Sequence, residues 1–439
     1  MQLISLYIKK YNHLEDFTIE FKQNLSVIIG VNGSGKSSIL EVLAIVLSDT
    51  YLNNKASLGF KLIYTLDLTA VELSAEGVNS DIKMNGKSKI DKSLLPSNVV
   101  VYYSGLSDKM AKLCEIHENK QKDDFKNGRA TKRPFFYYRP ENFKMFLLSL
   151  FSFEFGSTKD FLLEKVNLTN LENFSIEINK PIWKNIKTNS SDFWGLDGVS
   201  RQFCDKLNEY CDYQTLDKYT DNSIKYFFNS TEGLYEIENY IGGKQIFESL
   251  DMLSYQGMLG EITLSLNKKG QIMDSDALSE GEKQVIAIRG INDLLIEENT
   301  LLLFDEPDTY LHPSWQREFL GNIEQLTQSQ NAHLVVTSHS PMMIANMKKG
   351  DLFKMQNGEA KYIEGGYYGK DYAFTLETQM DTSSRNAETQ GELNQLFEWI
   401  ETDKLQEAQI LLGELEKKYP SEPELIRAQT MITLLTDED

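Results

Sequence analysis

The run Leu25–Ile29, built from Leu, Ser, Val and Ile, leads without a break into GVNGSGKSS, residues Gly30–Ser38. A short apolar run of this kind reads as a buried strand, and the residues after it, SILEVLAIVL (Ser38–Leu47), are apolar enough for a well-buried helix. Strand, glycine-rich loop and helix in that order match the phosphate-cradling pattern GxxxxGK[ST]. Gly30, Gly33 and Gly35 leave backbone N–H groups free to turn towards an anion, and the helix N-terminus adds its positive dipole end. Lys36 is placed to reach β and γ phosphates and Ser37 to hold Mg²⁺. Asn32, Gly33, Ser34, Gly35, Lys36, Ser37 and Ser38 are therefore the candidate nucleotide contacts. The letters alone also fit an ordinary glycine-rich turn, and the flanking strand and helix are what argue against it.

Three further signals follow. LLLFDEP (Leu301–Pro307) is a second apolar strand, and it ends in adjacent acids. Asp305 suits a role in holding the metal and Glu306 one in polarising the attacking water, although a solvated acidic turn has the same letters. LSEGEKQ (Leu278–Gln284) precedes a helical pattern, so Ser279 and Gly281 stand where a helix N-terminus exposes unpaired amides. Read alone, it is also a plain helix cap. A third apolar strand, Leu334–Thr337, runs into SHSP and places His339 just beyond it.

Taken together, these residues resemble the ABC-type ATPases of the SMC and RecF branch of the AAA-family enzymes. The resemblance runs through a P-loop at Gly30–Ser37, a signature motif at Leu278–Gln284, a Walker B strand at Leu301–Glu306, a D-loop around Asp308 and a switch His at His339, all in the family order. It implies an α/β head with a mixed sheet and an antiparallel β layer, ATP and Mg²⁺ as cofactors, Glu306, Lys36 and His339 as catalytic residues, and Ser37 and Asp305 at the metal. It also implies a composite site, in which the signature motif of one subunit closes over ATP on the P-loop of another, so a homodimer or higher homo-oligomer is expected. The chain departs from the family at Glu280, where the signature usually has Gly, and at Asn12, where the branch has Arg. No Gln stands at the end of VVVYYSG (Val99–Gly105), so the family's Q-loop contact has no evident counterpart.

The rest of the chain divides around these motifs, with the head expected over 1–105 and 244–375. Gly59–Lys87 alternates apolar and polar residues and contains Asn85-Gly86, a hairpin signal. Residues 106–243 interrupt the head and lack a sustained heptad, so an inserted, mainly helical lobe is expected in place of a long coiled-coil arm. The chain has 45 Lys and Arg against 65 Asp and Glu, a net charge of −20, which argues against coating nucleic acid by charge alone. Asp108–Arg139 reverses that balance, with nine basic residues against five acidic, and ends in KRPFFYYRP (Lys132–Pro140). That stretch reads either as a nucleic-acid grip or as a solvated helix with an aromatic anchor. There is no apolar run long enough to span a membrane and no signal-peptide layout at the start, and Cys114, Cys204 and Cys211 lack metal-ligand spacing. A soluble, cytoplasmic protein without membrane contact is the expectation.

Residues 376–439 form an expected helical extension. Leu393, Leu396, Phe397 and Ile400 fall at helical spacing, Leu405, Ala408, Leu412 and Leu415 repeat it, and Pro420 and Pro423 precede a third helix. These stripes must pack on the head, on themselves or on a partner. With its Tyr-Gly-Lys-Asp lead (Tyr368–Asp371), the tail resembles the C-terminal extension of PtuA-type ATPases of bacterial Septu and retron-linked defence systems. That resemblance implies the ATP-hydrolysing sensor or regulatory subunit of an anti-phage complex, whose nuclease effector, of HNH type, is a separate chain. The rival readings are a RecF-like DNA clamp and an ATP-bound scaffold that does not hydrolyse.

Overall fold

The computed structural model describes residues 1–105, 108–126, 133–181, 190–216, 222–365, 367–380, 382 and 385–437. It divides into two compact units, Met1–Gly369 and Lys370–Asp439. The sequence boundary at 375/376 thus lies a few residues beyond the observed division.

The first unit is built on a seven-stranded sheet. Its order is Glu359–Tyr362, Asp351–Gln356, Leu25–Gly30, His333–Thr337, Thr300–Asp305, Asn98–Tyr103 and Phe135–Tyr137. Only the Glu359–Tyr362 edge strand runs antiparallel to its neighbour. The central strands are buried from end to end, which is why they read as unbroken apolar runs. A separate antiparallel sheet joins Leu14–Glu20, Gln2–Tyr11, Phe60–Leu66, Thr69–Ala75 and Lys83–Met84. The Asn85-Gly86 turn behaves as its sequence suggests, with φ of 50° and 75°. Helix Lys36–Leu52 shares one apolar core with both sheets, so nearly all its faces are covered and its sequence carries no polar stripe.

The inserted region is mainly helical, and it also contributes strands to the sheets of the head. Helices predominate in 106–243, yet Phe135–Tyr137 extends the central sheet, and Leu168–Asn179 pairs with Leu259–Lys268 from beyond the insertion. A third sheet results, ordered Tyr213–Leu216, Ser223–Phe228, Leu168–Asn179, Leu259–Lys268, Gln271–Asp274. Strands paired across so many residues leave no sequence-local signal, so the region reads as an insertion although it is woven into the head.

The aromatic end of the basic stretch is anchored in the core. Phe135, Phe136 and Tyr137 are buried, and Arg133 places Nη1 3.0 Å from Glu118 and Nη2 2.6 Å from Asp251. Arg139 is 2.7 Å from the same Glu118. Two guanidinium groups of the segment are thus spent on internal ion pairs. Residues 127–132 lie outside the described residues.

The second unit carries helices Ala387–Glu401, Leu405–Lys418 and Pro423–Asp437. Leu393, Leu396, Ile400, Ala408, Leu412, Leu415, Leu425, Ala428 and Ile432 form its own core, with Phe397 packed against it. Of the three places the tail stripes could be buried, the structure shows the tail itself. No helix among the described residues is long and apolar enough to cross a membrane.

Candidate nucleotide site

Parallel pairing brings the motifs to one end of the central sheet. Asp305, the last residue of its strand, stands opposite Thr337 on one side and Tyr103 on the other, while Thr337 pairs in turn with Ile28 of the P-loop strand. The switch strand therefore lies between the P-loop and the Walker B acids, and carries His339 into the gap. This is the carboxyl edge of the parallel strands, where open α/β sheets place their ligands.

Gly30 sits at φ 149°, and a Cβ there would come within 2.7 Å of the Met355 carbonyl. Gly35 caps helix Lys36–Leu52 at φ 101°, with Leu14 close behind it. Both positions need glycine, the first for want of space and the second for its left-handed backbone. Asn32 and Gly33 are exposed at the loop crest. The Ser34 hydroxyl is buried without a hydrogen-bond partner. Lys36 Nζ turns back to donate to the carbonyls of Gly30 at 2.9 Å and Val31 at 3.3 Å. Burial holds its ammonium below the ordinary lysine range, and the charges of Glu306 and Asp305 oppose that shift.

Ser37 Oγ donates to Asp305, 2.9 Å from Oδ1 and 3.1 Å from Oδ2. Burial pushes the Asp305 carboxyl up, while hydrogen bonds from Thr337 and Ser37 draw it down. Hydroxyl and carboxylate oxygens at this separation are a hard donor pair of the kind Mg²⁺ takes, and the unpartnered Ser34 hydroxyl and the P-loop amides suit phosphate oxygens. The residues present fit Mg²⁺-ATP.

Glu306 lies just past the strand at φ 47°, an uncommon backbone state for a residue with a side chain. Its N–H donates to Thr337, 3.1 Å from the carbonyl and 3.0 Å from Oγ1. Glu306 Oε1 is 3.1 Å from His339 Nε2, and both side chains are about one-third exposed. Burial, followed by the charge of Lys36, holds the His339 imidazole below its ordinary value, against the pull of Glu306.

Ser279 and Gly281 are not brought to the P-loop of their own chain by any described contact. Ser279 is exposed and caps helix Glu280–Gly290 in a reciprocal pair with Glu282, the plain cap that the sequence also allowed. Gly281 lacks room for a side chain because the Tyr310 carbonyl passes 2.8 Å from where its Cβ would be.

Other participants escaped the sequence reading. Thr337 Oγ1 donates to Asp305 Oδ1 at 2.6 Å, and Ser104 Oγ donates to the Asp305 carbonyl at 3.1 Å from the position after the Asn98–Tyr103 strand. Asn12, at the tip of the first hairpin, donates from Nδ2 to Ser38 Oγ at 3.0 Å, so the residue that replaces the expected Arg braces the P-loop helix. Gln284, the last residue of LSEGEKQ, bonds the loop after Glu306 at two points. Hydroxyl and amide residues are common everywhere, and only strand register or helix packing marks these.

The family model described as "AAA ATPase domain" matches residues 1–231, and that described as "AAA domain, putative AbiEii toxin, Type IV TA system" matches residues 150–345. The "Retron Ec83 probable ATPase" of Escherichia coli is 26% identical over 140 residues, covering 29% of this chain and 25% of that protein. The energy-coupling factor transporter ATP-binding protein EcfA2 of Clostridioides difficile (strain 630) is 27% identical over 155 residues, covering 35% of this chain and 48% of that protein. The chain thus spans less than half the length of either curated relative. The SMC head domain from Thermotoga maritima aligns over 83% of this chain and 100% of its own at 13% identity, with a TM-score of 0.37. With the first model matching more than half of its 439 residues, and with P-loop, Walker B acids and switch His converging on one sheet edge, this chain belongs to the AAA ATPase domain family.

Proposed function

We propose that the chain binds and hydrolyses ATP with Mg²⁺ as the control subunit of an anti-phage defence complex, acting in the cytoplasm on a separate effector of HNH nuclease type. The observation that carries the hydrolytic part is the convergence of Ser37, Asp305, Glu306 and His339, the two acids standing at the end of a strand two places from the P-loop strand. Mg²⁺ held by Ser37 and Asp305 would neutralise phosphate charge. Lys36, released from the Gly30 and Val31 carbonyls, binds the β and γ phosphates. Glu306 orients the water, and His339 holds Glu306 until the γ phosphate is in place. Ser279 and Gly281 serve the nucleotide of a second copy, so two sites close in a head-to-tail pair, and the exposure of Ser279 supports this.

The defence role rests on the similarity to the retron protein and on the layout of the PtuA-type tail. A RecF-like clamp is less well supported, because Arg133 and Arg139 are taken up by internal ion pairs. The test is phage plating on cells carrying the chain with its neighbouring genes, against Lys36→Ala and Glu306→Gln. Protection that requires both residues and an adjacent nuclease gene supports the reading. Protection indifferent to Lys36, or neighbours confined to replication and repair, overturns it. A wild-type protein that binds ATP without turnover establishes the scaffold instead.

A further inference from the structure

The loop that follows Glu306 is held from two sides by glutamines on different helices. Gln284, buried on the signature helix Glu280–Gly290, donates from Nε2 to the Pro307 carbonyl at 2.6 Å and accepts at Oε1 from the Tyr310 N–H at 3.2 Å. Gln316, on the helix that leaves the loop, donates from Nε2 to the carbonyls of Asp308 at 3.1 Å and Leu311 at 3.0 Å. Its Oε1 accepts from Ser340 Oγ at 2.7 Å, and Ser340 adjoins His339. Within the loop, Thr309 Oγ1 donates to the Glu306 carbonyl at 2.9 Å. A carboxamide is the side group suited to this task, since it offers a donor to a carbonyl and an acceptor to an N–H from one planar group. Gly281, pressed against the Tyr310 carbonyl, adds a steric contact between the same helix and loop.

We infer that Gln284 and Gln316 form a hydrogen-bonded relay that sets the position of the Pro307–Leu311 loop and couples the signature helix to Glu306 and His339 of the same chain. A phosphate group docked at Ser279 and Gly281 shifts or stiffens the signature helix. Gln284 passes that change to the loop, and Gln316 passes it to the segment that carries the switch His. Each chain in a head-to-tail pair thereby links the nucleotide it caps to the nucleotide it cleaves. Both glutamines are positioning residues and touch no reacting atom. The inference rests on the hydrolytic reading above and names the route by which the two sites communicate. A double-mutant cycle on the two glutamines measures the coupling between them.

Full-length Gln284→Met and Gln316→Met keep side-chain length and remove the hydrogen bonds. With ATP as substrate, kcat is expected to fall about tenfold or more in each, because small misplacements of catalytic groups are costly. ATP affinity by direct titration is expected to stay within about twofold, since neither residue touches the P-loop. The double variant is expected to be no slower than the slower single one. Gln316→Glu keeps the acceptor for Ser340 but loses both donated bonds, so it should behave as Gln316→Met. Because Gln316 is half-buried, this variant decides the matter if Gln284→Met fails to fold. Unchanged kcat in folded variants overturns the relay, as does a double variant whose loss equals the product of the single losses. No turnover in the wild type overturns the hydrolytic reading instead, so the two failures are distinguishable.

Discussion

Thr337 holds Asp305 from the neighbouring strand. Its hydroxyl donates to Oδ1 at 2.6 Å, the two residues stand opposite one another in parallel register, and both are buried. The bond orients a carboxylate that also accepts from Ser37 Oγ and, in the proposed function, would help hold the metal ion. Thr337→Val preserves shape and removes the hydroxyl, and a lost bond to a buried charged group costs about 1–3 kcal/mol. The expected result is a lower denaturant midpoint together with weaker Mg²⁺ dependence of ATP binding, read by chemical unfolding and nucleotide titration. Unchanged Mg²⁺ dependence would leave Thr337 a purely structural residue.

Glu306→Gln keeps the size of the side chain and removes its basicity. ATP binding is expected to persist while turnover falls by about two orders of magnitude, the usual scale for a general base. Steady-state hydrolysis beside filter binding of labelled ATP checks both. Equal turnover in variant and wild type removes Glu306 from the chemistry.

Lys36→Ala should weaken nucleotide binding itself, whereas Ser279→Arg should leave P-loop binding intact and abolish turnover by placing a bulky cation where a neighbour's phosphate docks. Mixed under exchange conditions, the two variants should regain activity through one intact composite site per pair. If two folded variants never complement one another, the shared-site reading loses its main support.

Asp308 is buried near Glu306 and Asp305, and desolvation pushes its carboxyl up to about 6, with those two acids adding to the shift. An acid whose folded value is raised costs stability once it ionises, so the penalty is absent below the unfolded value near 4 and complete above about 6. Asp308→Asn should therefore stabilise the protein free of nucleotide and Mg²⁺ at pH 7.5, by about 3 kcal/mol at most. That gain should shrink steadily as pH falls from 6 towards 4. Thermal melts across this window give the answer, and a gain independent of pH would show that ionisation is not its source.

The tail, residues 370–439, has an apolar core of its own. A chain ending at Gly369 is expected to fold and bind ATP, but to lose higher assembly or capture of the effector. Light scattering and pull-down decide this. A truncated head that still assembles and captures its partner ends the recruitment role, and a head that unfolds shows that the tail is part of the core.

The sequence by itself determined the strand-and-loop scaffold that carries the candidate site. GVNGSGKSS, LLLFDEP and SHSP each follow an apolar run, and strand-to-loop boundaries are local events that Gly, Pro and paired acids punctuate. Only the tertiary structure decided what surrounds them. That Thr337 faces Asp305 depends on parallel register between strands whose order in the sheet no local pattern states. That Gln284 binds the loop after Glu306 depends on a helix packing against a turn 23 residues away. The same holds for Leu168–Asn179, which pairs with a strand beyond the insertion and ties the inserted region to the head. The apolar stripes of the tail required burial, and only packing shows that they meet one another in a core of their own. Local propensity records which side chains must leave water, and long-range pairing decides which neighbours they meet.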